Sequence, residues 1–184
     1  MLRHVAIALA VAAVLPAARA TTYTRVLSGS TVSFSATQMG VTMPGHFSRM
    51  SAQVAFDPAH AAADHLTVRV DTASADGGSS QTTALITGAD WLDAAHHPQA
   101  SFVASRFTPD GANRWWVDGT FQVKGHSAPL RVLATARPQG ADLALDADFD
   151  LKRLQWGLGS GAWADTSVVG AALPIHVHLL LAAH

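Results

Sequence analysis

The chain has 184 residues, with 12 Lys+Arg against 13 acidic residues, every one of them Asp. This near-neutral balance excludes the basic footprint that nucleic-acid binding requires. With no cysteine, disulfides, thiolate metal sites and a cysteine-borne lipid anchor are excluded as well, so a folded domain here rests on packing alone.

Met1–Ala20 (MLRHVAIALAVAAVLPAARA) places Arg3 and His4 before an apolar run from Val5 to Leu15, then Pro16 and the small residues Ala18 and Ala20. A charged start, an apolar core and small residues at the −3 and −1 positions predict a secretory signal peptide cleaved after Ala20. The run is about half the length a helix needs to span a bilayer, so a permanent anchor is the weaker reading. Removing Arg3 and Arg19 leaves 10 Lys+Arg against 13 Asp in residues 21–184, a net charge of about −3. That body is long enough for one domain with a sizeable core. Cysteine-free secretion suits a bacterial periplasmic protein. The strongest later candidate for a membrane span, Ala171–Ala183, is too short and contains Pro174, His176 and His178.

The body is written in period two. In Thr31–Thr37, Val32, Phe34 and Ala36 alternate with Thr31, Ser33, Ser35 and Thr37; Gly45–Phe56 follows as a second strand candidate. Leu66, Val68 and Val70 alternate with Thr67, Arg69 and Asp71 in Leu66–Thr72. Between Ser79 and Pro98 the alternation lapses, and two short helical turns are expected, with Leu85, Ile86, Trp91 and Leu92 as their apolar side. Strand candidates then resume as Ala100–Phe107, Arg114–Val123, Pro129–Arg137, Ala141–Leu151 and Val168–Leu181. Turn residues separate them: Asp57-Pro58, Pro109-Asp110-Gly111, Lys124-Gly125-His126 and Pro138-Gln139-Gly140. In Ala141–Leu151, Leu143, Leu145, Phe149 and Leu151 oppose Asp142, Asp146, Asp148 and Asp150. Four Asp on one face cannot be buried cheaply, so that face meets water and the sheet is antiparallel. Eight or so such strands describe a sandwich or a closed barrel, the barrel having no exposed edges.

The order and spacing of short blocks along the chain resemble the YceI family. The blocks are Ser30-Thr31-Val32-Ser33-Phe34, then Gly40, Gly45 and Phe47, then Val54-Ala55-Phe56-Asp57-Pro58 and Ser74-Ala75-Asp76-Gly77-Gly78. Ala89-Asp90-Trp91-Leu92-Asp93, His97-Pro98 and Ser101-Phe102 follow, then Gly119–Gly125, Pro129-Leu130, Trp156–Trp163 and Val168-Val169-Gly170. The resemblance covers Tyr23 to about Ala182. It implies an all-β fold: an antiparallel eight-stranded lipocalin-like barrel with a short helical insertion covering one mouth. It further implies a periplasmic protein holding a long isoprenoid chain, in some members bearing a quinone-like head, in an internal tunnel. Inner-membrane contact, a cytochrome b561-type partner and a homodimer are the associations it suggests. The sequence departs from the family pattern at Gln38, where a His is common, at Thr82 and Thr83, where an Arg-Asp pair is common, and at Gly77. A salt bridge or polar head-group contact at those places is therefore not expected.

A lipid site needs a long apolar cavity with one or two polar groups at its mouth. The inward-facing candidates are Phe34, Phe47, Val54, Phe56, Val68, Phe102, Phe121, Phe149 and Trp156, with Leu85, Ile86 and Trp91 from the lid. Taken singly, each fits a solid core equally well, because an eight-stranded barrel is just wide enough to be filled or to hold a ligand. Trp115 and Trp116 are neighbours on one strand, so one of them faces outward. Gly157, Gly159 and Gly161 alternate near Trp163 and permit close backbone approach.

No catalytic constellation is legible. Glu is absent, no inward Asp pair stands out, and no Gly-x-Ser-x-Gly elbow occurs. His176 and His178 share a strand face and are the candidates for an alternative, transition-metal binding. Ile175, Val177, Leu179 and Leu181 form the more apolar opposite face, so the two histidines are expected to meet solvent. A structural or stress-response interaction protein is the remaining alternative.

Overall fold

The computed structural model describes residues 21–57 and 65–183; the expected signal peptide, its expected cleavage after Ala20, and Pro58 lie outside the described residues. Eleven strands are described: β1 (Thr21–Val26), β2 (Thr31–Gln38), β3 (Val41–Phe47), β4 (Met50–Phe56), β5 (His65–Asp71) and β6 (Ala75–Asp76), then β7 (Gln99–Pro109), β8 (Arg114–Val123), β9 (His126–Gln139), β10 (Asp142–Lys152) and β11 (Ala172–Ala183). One helix, α1 (Ser80–Thr87), lies between β6 and β7.

The strands β1, β4, β5, β7, β8, β9, β10 and β11 pair in that order, all antiparallel, and β1 returns to β11 to close an eight-stranded barrel. The last strand is shared. Its C-terminal residues Leu181–Ala183 pair with β1, while Ile175–His178 pair with Thr31–Phe34 of β2. β3 and β6 extend the sheet from β2, in the order β2, β3, β6.

Period two produces the inside and outside of this wall. On β10, Leu143 is fully buried and Leu151 nearly so, whereas Asp148 and Asp150 are exposed. Ala144, on the Asp side of the alternation, is the exception and is also fully buried. Two hairpins turn tightly through paired positive φ angles: Met39-Gly40 at 48° and 82°, and Lys124-Gly125 at 48° and 74°. Those are the signs a type I′ turn requires.

Three expectations need correction. The single strand expected over Gly45–Phe56 breaks at Ser48-Arg49. There Ser48 N–H donates to Ser74 O, Arg49 N–H to Ser74 Oγ and Asp71 N–H to Arg49 O, and the captured backbone turns a corner between β3 and β4. The strand expected from Val168 starts only at Ala172, because Val168 and Val169 donate to Asp165 O in a turn. Of the two helical turns expected between Ser79 and Pro98, the first is α1, capped by Ser79 Oγ accepting from Thr82 N–H. The second is a set of tight turns, with Asp93 at φ 47° and hydrogen bonds from Trp91 and Asp93 N–H back to Gly88 O. β1 was not anticipated, since its six residues carry no clear alternation.

Candidate ligand-binding cavity

The barrel encloses a cavity of about 230 Å³ whose lining comes from nearly every strand and from α1. Its walls are almost wholly apolar. Phe34, Phe47, Val54, Phe56, Val68, Leu85, Ile86, Trp91, Phe102, Phe121 and Phe149 all line it. Trp156 is not part of the lining: it is buried in the core, edge-to-face against Phe121 with ring centroids 4.9 Å apart. Sequence reasoning left out Val32, Leu66, Val117, Val132, Leu145, Leu179 and Trp163, which also line the cavity. Most of these occupy alternation positions already legible as inward.

The cavity has two distinguishable ends. Trp115 and Val123 are eight residues apart on β8, which is about 26 Å at the usual rise per residue. At the Trp115 end, Phe56 meets the indole edge-on at 5.6 Å. At the Val123 end lies the lid segment: Trp91 packs on Trp163 at 6.3 Å, and Leu85 and Ile86 reach down from α1. Thr72, fully buried, ties this segment to the barrel by donating its hydroxyl to His97 O at 2.6 Å. α1 itself has no buried residue, so little buried surface holds the helix in place.

Close packing at the wall depends on two glycines. A Cβ on Gly45 would collide with the Phe34 ring, and one on Gly119 would come within 2.5 Å of Val103 O and 2.6 Å of Phe102. The absent side chains leave room for these aromatic rings to lie across the neighbouring strands.

Few polar groups reach the lining. Gln38, Thr82 and Gly77 border it, whereas Thr83 does not. The indole N–H groups of Trp91 and Trp115 are buried and have no hydrogen-bond partner within the described residues. Such an unmet donor costs about 1–3 kcal/mol.

Under the lid lies a buried cation that sequence reasoning did not single out. Arg153 is fully buried. Its Nε donates to Gly170 O, Nη1 to Leu158 O and Gly159 O, and Nη2 to Val169 O, at 2.9–3.1 Å. No carboxylate among the described residues pairs with it. Two of the carbonyls, those of Leu158 and Gly159, are delivered by the glycine-rich segment, where Gly157, Gly159 and Gly161 all have positive φ (64°, 72° and 59°), and the other two by Val169-Gly170. A Cβ on Gly159 would lie 2.6 Å from Nη1. The close backbone approach expected there is thus made to an arginine.

The lid exit carries a small charged group. His96 Nδ1 lies 2.8 Å from Asp93 Oδ1, and this hydrogen bond holds the Asp93 carboxyl below the usual carboxylate range, with His97 and Lys124 nearby adding to it. Burial lowers the Lys124 amine from its ordinary value, although Asp93 and Asp90 oppose the shift. Its Nζ donates to Gly157 O at 2.7 Å.

His176 and His178 lie on the outer wall. Their Nδ1 atoms are each 2.6 Å from a carboxylate opposite in register, Asp148 and Asp146 respectively. Among the described residues no group of three or more His or Asp side chains gathers in a metal-binding arrangement. Trp115 is the inward member of its pair, and Trp116 faces out, where its N–H donates to Asp110 Oδ1 and Arg131 stacks over its ring at 5.0 Å.

An antiparallel barrel closed around an apolar cavity, with a short helix across one end, is a lipocalin-like architecture. Within that class the chain belongs to the YceI family: residues 23–181 match the family's YceI-like domain. The crystal structure of Burkholderia cenocepacia BcnA is similar at 38% identity and a TM-score of 0.80, over 82% of this chain and 95% of that one. A domain from Saccharophagus degradans, described as polyisoprenoid-binding and implicated in plant cell wall breakdown, shares the fold at 12% identity. Its TM-score is 0.73, over 90% of this chain and all of that one. A UPF0312 protein of Vibrio cholerae is 28% identical over 114 residues, which is 61% of this chain and 60% of the relative's length.

Proposed function

We propose that this chain is a periplasmic, non-catalytic carrier that holds a long-chain isoprenoid lipid inside the barrel. The observation that carries the reading is the cavity, walled by aromatic and aliphatic side chains from nearly every strand and covered by α1. Hiding an isoprenoid chain there is favourable by roughly 25 cal/mol for each Å² of apolar surface removed from water, before ordering costs. The ligand contacts are Phe34, Phe47, Val54, Phe56, Val68, Leu85, Ile86, Trp91, Phe102, Phe121 and Phe149, with Trp156 acting only through Phe121. An isoprenoid quinone fits the same reading. The polyisoprenoid-binding description of the Saccharophagus domain supports a lipid of this class through the shared fold alone.

Organic extraction of gently purified protein, followed by mass spectrometry, tests the reading. A prenol, prenyl ester or quinone is expected at close to one per chain. Repeated recovery of empty protein that also fails to take up ubiquinone or long prenols overturns it. Fractionation should recover a soluble periplasmic species shortened by about 20 residues, the length of a typical signal peptide.

A further inference from the structure

Of the segments that border the cavity at its lid end, two carry no charge, whereas the 88–97 and 157–170 segments carry Asp90, Asp93 and Asp165. Residues 26–48 contain no Asp, Glu, Lys or Arg, and neither do residues 77–89. The first forms the β2–β3 hairpin, whose tip is Met39-Gly40-Val41. Met39 is 78% exposed and Val41 61%, the highest values for large apolar side chains among the described residues. Met39 also adopts φ 48°, in a turn type where Asn, Asp or Gly is strongly preferred. Neither burial nor backbone conformation favours methionine there. The fold would be better served by asparagine, which directs attention to something outside the chain.

The tip stands beside the lid. Met39 N–H donates to Val168 O and Gly170 N–H to Thr37 O, while Gly170 O accepts from Arg153, which stacks on Trp91. Gln38, Met43 and Pro44, on either side of the tip, line the cavity, as do Leu85 and Ile86 of the loosely held α1. An exposed apolar tip is therefore continuous with the cavity wall.

We propose that the Met39–Val41 tip, together with the uncharged flank of α1, docks into the interfacial layer of a lipid bilayer and forms the portal through which the cavity's lipid passes. This rests on the lipid-carrier reading of the cavity. A zwitterionic bilayer is the partner that the charge pattern fits. Inserting a charged side chain would require dehydrating it, and both segments lack one. An anionic membrane would be matched by Lys or Arg, which are equally absent. A stable contact between two copies buries roughly 800 Å² on each partner, far more than two side chains at a hairpin tip offer. Shallow, reversible membrane contact needs only such a tip.

Flotation with phosphatidylcholine–phosphatidylethanolamine vesicles tests the proposal, comparing the wild-type protein with Met39→Asn/Val41→Thr. Both proteins carry the same N-terminus, so the difference between them isolates the hairpin. Asn suits the positive φ and Thr suits the strand, so thermal unfolding should be unchanged or shifted upward. The wild type should float with the vesicles equally at low and high salt, and the variant at least about tenfold more weakly, as expected for losing two apolar contacts. Uptake of a prenol from the vesicles should slow by a similar factor. Val103→Asn, on the barrel wall at 39% exposure, should behave as wild type. Equal flotation of wild type and double variant overturns the proposal, as does binding confined to anionic vesicles and abolished by salt. Self-association lost in the double variant overturns it in favour of a second copy of the chain. Lipid measured in the same wild-type preparation separates the two readings. Filled protein that does not float sinks only the portal, whereas protein that neither holds nor accepts lipid sinks the carrier reading itself.

Discussion

Arg153 is stacked on Trp91, its guanidinium carbon 5.8 Å from the indole ring, and this contact joins the glycine-rich tail to the lid. The same guanidinium holds four backbone carbonyls. A lysine has neither the planar fork nor the reach in several directions to replace it. Arg153→Met, which strands these carbonyls, should destabilise the protein by about 3 kcal/mol or more, since hydrogen bonds to a charged group are worth roughly 1.5–3 kcal/mol each. Arg153→Lys should recover only part of that. Urea unfolding measures both, and a loss under 1 kcal/mol for the Met variant would contradict the role assigned to Arg153.

Leu85 tests the lid more cleanly than Trp91. Trp91 is 8% exposed and part of the core, so an Asp there would threaten the fold itself. Leu85 is only half-buried on a helix with no buried residue. Leu85→Asp should leave barrel stability within about 1 kcal/mol of wild type. Lipid retention during dilution should nevertheless fall severalfold, because the new carboxylate faces an apolar chain. Unaltered release kinetics would show that α1 does not close the cavity.

The indole N–H signals offer a readout of occupancy. Those of Trp91 and Trp115 have no partner and belong to cavity-lining residues, whereas that of Trp116 already donates to Asp110 on the outer wall. Loading with a prenol or quinone should move the first two resonances in a ¹H–¹⁵N spectrum and leave the third in place. Movement of Trp116 alone would put the ligand on the outside of the barrel.

At the lid exit, the Asp93 carboxyl is held below its ordinary value of 3.8, chiefly by the His96 hydrogen bond. A depressed folded-state value means that the contribution is complete above the unfolded value and is lost as pH falls through the lower folded one. Local stability of the 88–97 turn should therefore persist to about pH 4 and decline below it. Asp93→Asn, which tolerates the positive φ, should remove that acid-side slope. Amide exchange of this turn across pH is the measurement, with a slope retained in the variant as the contrary result.

The barrel was legible where one strand face had to be wet. On β10 the Asp series identifies the outside, so Leu143, Leu145, Phe149 and Leu151 fall inside without further information. The corner at Ser48-Arg49 was not legible, because it is made by hydrogen bonds to Asp71 and Ser74, whose nearness depends on the finished fold. Arg153 was missed for a related reason. Lys152-Arg153 at a strand end reads as a solvated pair, and the carbonyls that bury Arg153 come from residues 158–170. Trp156 looked inward by composition, but it lies in a short 3₁₀ turn rather than a strand, where alternation gives no direction.

Tyr23 pairs with Ala183, and the strand that receives it also pairs with β2 and β10. Until those last twelve residues of β11 are delivered, neither seam can form and β10 keeps an open edge. Closure is consequently a late event that brings opposite ends of the sequence together, the kind of contact that slows folding. A chain whose β11 has yet to leave the ribosome remains unable to shut its barrel. The wall stays unzipped until β11 arrives, and that arrival seals both seams at once.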